Sequence, residues 1–150
     1  MDIRYYEQAL DRDLTEIVVI ARQDGRWLLC RPGGEEPWRF PAGPRKPGED
    51  VHESARRLLW ELTGTADAQV EAVAAYGLHP EGEEPVYGAL FFAEIRERES
   101  RVGGEARLCE GLSQLSDAGA LQTELAGKVQ RWLDDGNFRS EEDDLFELLC

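Results

Sequence analysis

The alternation of apolar and polar residues predicts a β-hairpin near the start of the chain. Residues 15–21 are rich in β-branched side chains, and residues 27–31 form a second short apolar run. Residues 23–26, which read Gln-Asp-Gly-Arg, are typical of a turn between two strands. Residues 1–14 are mixed and polar, and either an irregular lead-in or a first edge strand fits them.

The pattern changes to that of a helix between residues 50 and 63. Apolar residues recur there at spacings of three and four, which places them in one stripe about 100° wide. Gly64 follows directly and is well placed to end the helix. The stripe consists of Val51, Ala55, Leu58, Leu59 and Leu62. Trp60 points to another side, where packing or an interface is the favoured role.

Further strands are predicted over residues 68–76, 86–95 and 106–109, and a second helix follows them. Ser116-Asp117 can cap this helix, whose apolar positions Leu121, Leu125, Val129, Trp132 and Leu133 share one face. The order of strands and helices predicts a single α/β domain over residues 1–150, with a core of about 15–133. Residues 134–150 form an acidic segment, which either docks as an amphipathic element or frays as a tail.

The charge of the chain limits its partners. With a formal net charge of −14, the protein is not expected to bind duplex nucleic acid, because that affinity comes from clustered Lys and Arg. A small anionic ligand needs only a local positive pocket, and five cations lie close together in sequence: Arg39, Arg45, Lys46, Arg56 and Arg57. These five cations fit either a ligand pocket or an ordinary solvated surface.

The remaining composition favours a cytoplasmic protein. No apolar run reaches the roughly 18 residues that span a bilayer, and the N-terminus does not read as a signal peptide. The three cysteines, Cys30, Cys109 and Cys150, are widely spaced and form no C-x-x-C pair. We therefore expect reduced thiols and no zinc site or disulfide framework.

Residues 43–65 resemble the Nudix box, G-x5-E-x7-R-E-U-x-E-E-x-G-U, in which U is aliphatic. Gly43, Glu49, Arg57, Leu59, Glu61 and Gly64 match it, and the lead-in Phe40-Pro41-Ala42 is close to the family's common sequence. The resemblance implies a Nudix-type α/β/α sandwich with a mixed central β-sheet. It also implies a pyrophosphohydrolase of the MutT-like class, which cleaves nucleoside diphosphates linked to another group.

In this family the glutamates of the box helix hold Mg²⁺ or Mn²⁺. Such metals neutralise phosphate charge and lower the pKa of a bound water, and they need converging oxygen ligands. Here Leu58 and Leu62 stand at two of the glutamate positions, and Thr65 replaces the last aliphatic residue. Leucine offers no lone pair, so the metal site is degenerate. Since the two leucines extend the apolar stripe, other side chains, an apolar ligand group or a partner must cover them.

The resemblance assigns candidate roles to the residues that remain. Catalytic roles fall to Glu61, Glu49 and Arg57, and substrate binding to Arg39, Arg45 and Gly43. Metal ligands would be Glu61, Glu49 and, from the later region rich in acids, Glu105. Glu53 can instead form a structural ion pair with Arg57.

Three functions remain open. One is a diverged Nudix protein that binds a nucleotide-like small molecule with metal-dependent hydrolysis lost or impaired, and with no cofactor. The second is an active hydrolase that uses Mg²⁺ or Mn²⁺ in a rearranged site, on a nucleotide or an oxidised nucleoside triphosphate. The third is an interaction role, in which a homodimer or another partner covers the former cleft.

Overall fold

A computed structural model of the protein describes residues 2–6, 14–32, 37–99, 104–111 and 120–139. Its elements, in chain order, are β1 (Asp2–Tyr6), β2 (Glu16–Gln23), β3 (Arg26–Pro32), β4 (Ala42–Pro44), α1 (Val51–Thr63), β5 (Thr65–His79), β6 (Val86–Arg98), β7 (Gly104–Cys109) and α2 (Ala120–Asp134). The predicted cap at Ser116-Asp117 and residues 140–150 of the acidic segment lie outside the described residues.

One mixed sheet connects the seven strands found in the described residues. Its order is β1-β5-β6-β2-β3-β7, and the short strand β4 pairs with β2 beside this path. β2 runs parallel to β6 and antiparallel to β3 and β4, while β1, β5 and β7 make antiparallel pairs. The N-terminal residues 2–6 are thus an edge strand, which was one of the two readings of the sequence.

The two faces of the sheet are both buried, each under one helix. Successive residues of β2 alternate between two apolar clusters, and this is why its sequence reads as an unbroken β-branched run. The cluster under α1 includes Ile17, Val19, Leu28, Phe91 and Leu59, and the cluster under α2 includes Val18, Ile20, Leu29, Phe92 and Leu125. This arrangement confirms the expected α/β/α sandwich.

The local signals at the turns and at α1 match the structure closely. The β2–β3 turn uses positive φ angles at Asp24 (52°) and Gly25 (76°). Asp50 caps α1 by accepting a hydrogen bond from the Glu53 amide, and Gly64 ends the helix in the left-handed conformation with φ 72°. Every residue of the predicted apolar stripe belongs to the α1-side cluster or packs against it.

The two longest strands exceed their predicted bounds. β5 begins at Thr65, directly after the helix stop, and its register against β6 shifts between Thr65 and Ala68 and again between Ala72 and Ala74. These irregularities break the simple alternation of exposed and buried side chains on which the sequence prediction relied. Among the described residues, neither helix has the length and apolar character that a membrane crossing requires.

The pairing of β5 with β6 depends on a glycine opposite a buried tyrosine. Tyr76 and Gly88 are register partners, and a Cβ atom at residue 88 would overlap the Tyr76 ring. Since Tyr76 is 2% exposed, the ring cannot move aside into solvent. We expect Gly88→Ala to lower the free energy of unfolding by about 1–3 kcal/mol, as overpacked cores do, measured by urea denaturation.

Gly127 in α2 provides the matched control. A Cβ atom there would meet its nearest neighbour, Nη1 of Arg131, at an ordinary contact distance of 3.5 Å. Gly127→Ala should therefore raise the free energy of unfolding by about 0.5–1 kcal/mol, because alanine favours the helix interior. Equal stability of Gly88→Ala and the wild type would contradict the packing of Tyr76 over residue 88.

Candidate functional site

The loop that leads into α1 is fixed to the strands beside it. β4 places Gly43 opposite Ile17 of β2. The Arg45 amide donates a hydrogen bond to the Thr15 carbonyl at 2.9 Å. The Arg45 guanidinium donates to the Glu49 carbonyl at 2.7 Å and to the Leu14 carbonyl at 3.3 Å. Arg45 thus connects the loop to the residues before β2, and its expected role in substrate binding stays a prediction.

Glu49 lies at the centre of a dense set of donors. Arg57 Nε donates to both of its carboxylate oxygens, at 2.8 and 3.1 Å. The Ser54 hydroxyl donates to Oε1 at 2.7 Å, and the Lys46 amide donates to the same oxygen at 3.0 Å. These bonds, that of Arg57 above all, lower the pKa of Glu49 to about 2.

Arg57 connects this carboxylate to the rest of the box. Its Nη2 donates to the Pro44 carbonyl at 2.9 Å, and its Nη1 donates to Oε2 of Glu61 at 3.2 Å. The bond with Glu49 is also the main reason why the pKa of Arg57 is raised. Arg57 therefore forms its ion pairs with Glu49 and Glu61, and not the predicted pair with Glu53. Glu53 lies beside Asp50, whose charge raises the pKa of Glu53.

Glu61, the box glutamate that is retained on α1, has a cation near each of its carboxylate oxygens. Besides Arg57 at Oε2, the Lys46 ammonium lies 3.9 Å from Oε1 of Glu61. The side chains of Lys46 and Glu61 are 60% and 45% exposed. A pocket of about 310 Å³ opens beside this group, lined by Leu14, Thr15, Arg45, Lys46, Pro47 and Gly48.

Leu58 is covered by the protein itself. Its side chain is 4% exposed and belongs to the α1-side cluster, against which the half-buried Leu62 also packs. A Cβ atom at Gly43 would lie 2.8 Å from Cδ2 of Leu58, so the leucine side chain lies directly against the opening glycine of the box. Of the three ways to cover Leu58, the structure uses the chain's own side chains.

The residues present do not fit an octahedral magnesium site. Mg²⁺ needs several converging oxygen ligands at about 2.0–2.1 Å. Glu49 and Glu61 accept hydrogen bonds or ion pairs from the chain's own cations, and Leu58 supplies no oxygen. Within the described ranges, no three His, Cys, Asp or Glu side chains form a group that could hold a metal ion.

The structure does not bring Glu105 to the other candidates. Glu105 is the register partner of Arg31, and the two side chains form an ion pair at 2.5 Å. By strand alternation Glu105 shares a face with Cys109, which belongs to the α2-side cluster. It therefore lies on the opposite face of the sheet from α1. Arg39 pairs through its backbone with Cys30 of β3, at the lead-in to β4.

Sequence reasoning missed two residues that hold the site. Ser54 is fully buried although polar, and a polar residue beside the apolar stripe was a signal that could have found it. Gln122 of α2 accepts a hydrogen bond from the Phe40 amide at 2.8 Å and donates one to the Phe40 carbonyl at 3.3 Å. No sequence pattern points to a contact across 82 positions, so Gln122 could not have been predicted.

Comparisons with known proteins agree with the fold and the box. The sequence profile described as NUDIX domain matches residues 11–135. The chain is 28% identical over 121 residues to an RNA pyrophosphohydrolase of Halorhodospira halophila (strain DSM 244 / SL1). This match covers 78% of the chain, and the chain spans 64% of the length of that curated relative.

Solved structures resemble the fold at low sequence identity. The Bacillus subtilis pyrophosphohydrolase BsRppH matches with a TM-score of 0.70 and 21% identity, over 86% of this chain and 90% of that one. A C. elegans Ap4A hydrolase matches with a TM-score of 0.61 and 18% identity, over 80% and 98%. A UDP-X diphosphatase matches with a TM-score of 0.60 and 19% identity, over 83% and 66%.

The bonding of Glu49 predicts a specific dependence of stability on pH. Its pKa is about 2 in the folded protein, against an ordinary value of 4.5. The carboxylate therefore contributes stability above about pH 4.5, and this contribution disappears as the pH falls towards 2. Glu49→Gln should lower the melting temperature at neutral pH and flatten its fall in this acid range, measured by circular dichroism.

Glu81→Gln, at an exposed loop position, is the control for the loss of one carboxylate. It should leave both the melting temperature and its acid dependence as in the wild type. If Glu49→Gln and Glu81→Gln showed the same acid profile, Glu49 would not be the group responsible.

Proposed function

The chain belongs to the Nudix family, and we propose that it binds a nucleotide-like small molecule. We further propose that its metal-dependent hydrolytic activity is lost or impaired. The family match over residues 11–135 includes the box and both helices. Nudix hydrolases act on nucleotide-like substrates and generally use divalent metal ions. The proposal therefore keeps the ligand class of the family and departs from it in the chemistry.

The observation that carries the proposal is the burial of Leu58. A glutamate at this position would supply a metal ligand in the family pattern. Here the side chain is 4% exposed and lies against Gly43, where an ion would need open space and an oxygen. Replacing a carboxylate by a buried apolar group removes both the ligand and the room for it.

The carboxylates that remain have roles that do not need a metal. We assign Glu49 and Arg57 to holding the loop against α1, since Arg57 bonds to Glu49, Glu61 and the Pro44 carbonyl. Glu61 is the one retained helix glutamate of the box with a half-exposed side chain, so any residual hydrolysis would depend on it. A weak active site organised around Glu61 is the alternative function.

The relatives suggest which compounds to test. One relative is named as an RNA pyrophosphohydrolase, and two similar structures as an Ap4A hydrolase and a UDP-X diphosphatase. A panel of 5′-triphosphorylated RNA, Ap4A, a UDP-linked compound and nucleoside triphosphates covers these classes.

The homodimer and the cytoplasmic location stay predictions.

The first experiment measures turnover of this panel with Mg²⁺ and with Mn²⁺. We expect no turnover above the uncatalysed rate, because the described residues offer the ion no set of converging oxygen ligands. Binding of at least one compound, measured by calorimetry, completes the expected result. Turnover by the wild type that disappears in Glu61→Gln, but not in the matched control Glu124→Gln, would overturn the proposed loss and favour the alternative.

The second experiment restores the two glutamates as Leu58→Glu with Leu62→Glu. A carboxylate at residue 58 would be buried without a partner, so the double variant should melt well below the wild type in EDTA. Mg²⁺ or Mn²⁺ should raise its melting temperature, because a ligand that binds only the folded state stabilises it. The melting temperature of the wild type should not change with either metal.

Two single variants separate the effects. Leu62→Glu alone places a charge at a half-buried position and should be tolerated, without a response to metal. Leu58→Ala leaves a cavity where the leucine side chain was and adds no carboxylate. It should lower the free energy of unfolding by about 2–5 kcal/mol, whether or not a metal is present. A metal-dependent rise in the melting temperature of the wild type itself would contradict the proposal.

A further inference from the structure

The charges around Glu61 differ from those of a metal site in a specific way. A divalent cation binds through several carboxylate oxygens that converge on it. Here Glu61 has Arg57 at 3.2 Å from one oxygen and Lys46 at 3.9 Å from the other. The chain therefore supplies two positive charges of its own at the retained glutamate of the box helix.

Lys46 is the more available of the two cations. Arg57 is 17% exposed and bonds at the same time to Glu49 and to the Pro44 carbonyl. The Lys46 side chain is 60% exposed, and its contact with Glu61 is at the outer limit of an ion pair. Because exposed ion pairs of this kind are weak, an anion of higher charge can replace Glu61 as the partner of the Lys46 ammonium.

The backbone around Lys46 is held in place although its ammonium is accessible. The Lys46 amide donates to Oε1 of Glu49, and the Lys46 carbonyl accepts from the Glu49 amide at 3.1 Å. Arg45 braces the same loop through the Leu14 and Glu49 carbonyls. Gly48, with φ 83°, allows the chain to turn between Lys46 and Glu49. The loop thus presents Lys46 at the edge of the pocket of about 310 Å³.

We infer that this pocket binds the pyrophosphate group of a nucleotide-like ligand without a divalent metal, with Lys46 as the cation and Glu61 as an internal counterion that the ligand displaces. The inference rests on the proposed function, because it assumes that the metal has no place in the site. Beyond the proposed function, it names pyrophosphate as the ligand group and Lys46 as the residue that binds it. It also predicts whether removal of the Glu61 charge raises or lowers the affinity for an anion.

The sign of the Glu61 effect is the sharpest consequence. In a metal-dependent site, removing the carboxylate weakens the binding of phosphate because the ion is lost. In this site, Glu61→Gln removes a negative charge that competes for Lys46 and repels the ligand. The same substitution should therefore strengthen the binding of an anion.

The experiment measures the binding of inorganic pyrophosphate by titration calorimetry in EDTA. We expect measurable binding by the wild type, which weakens as the salt concentration rises because the contact is exposed. Glu61→Gln should bind about 1.5- to 5-fold more tightly, the range expected for removing one exposed, partly screened charge. Lys46→Gln should bind about 10-fold or more weakly, as the loss of a charge-assisted contact.

Matched controls are available on α2. Glu124 has a side chain 46% exposed, contacts Arg131 at 3.8 Å and accepts a hydrogen bond from the Tyr5 hydroxyl at 3.1 Å, so Glu124→Gln removes a paired carboxylate of similar exposure. Lys128 lies over the Tyr5 ring, so Lys128→Gln removes one cation elsewhere. Both controls should bind pyrophosphate as the wild type does. Lys46→Arg should recover much of the binding lost in Lys46→Gln, and melting curves verify that each variant is folded.

The outcomes separate this inference from the proposed function. Binding that requires Mg²⁺, or an equal affinity of Glu61→Gln and Glu124→Gln, overturns the inference. So does an equal affinity of Lys46→Gln and Lys128→Gln. If no variant binds pyrophosphate in EDTA and the nucleotide panel is not hydrolysed, the inference fails while the proposed loss of hydrolysis stands. Turnover that depends on Glu61 overturns the proposed function, whatever pyrophosphate does.

Discussion

The structure around the box depends on the ion pair between Glu49 and Arg57. The pair has two hydrogen bonds from one guanidinium nitrogen, with Ser54 and the Lys46 amide completing the carboxylate. Through Arg57 the same group reaches Glu61 and the Pro44 carbonyl. One interaction therefore fixes the loop, the start of α1 and the orientation of the next glutamate on the helix. This interaction is made entirely by the chain's own side chains and backbone.

The positions that keep the pattern of the box and the position of Leu58 have different surroundings at α1. Glu49, Arg57 and Gly64 define the loop and the ends of the helix, and these positions keep the family pattern. Leu58 lies on the side that faces the sheet, where burial favours an apolar residue. Once a glutamate there is exchanged for leucine, the apolar cluster under α1 gains a side chain. A return to glutamate then requires the removal of that side chain from the core.

Much of the fold could be predicted from the sequence, because local signals and global packing agree. The hairpin at Asp24-Gly25, the stripe of α1 and the stop at Gly64 each follow from residues close in sequence. The extra length of β5 and β6 could not be predicted, since it is set by pairing across the sheet and by register shifts. The candidate site was predicted in part. Its loop and helix residues do come together, while the place of Glu105 depends on which face of β7 it occupies.

The clamp of Gln122 on Phe40 has a consequence for how the two halves of the sandwich move. Phe40 precedes the box by three residues, yet its peptide groups are bonded to α2 on the far face of the sheet. The Phe40 amide can exchange with solvent only when Gln122 releases it. Its exchange rate therefore reports how often the Gln122 side chain of α2 releases the segment that precedes β4. The segment before β4 therefore shares its local stability with α2, a helix on the opposite face of the sheet from α1.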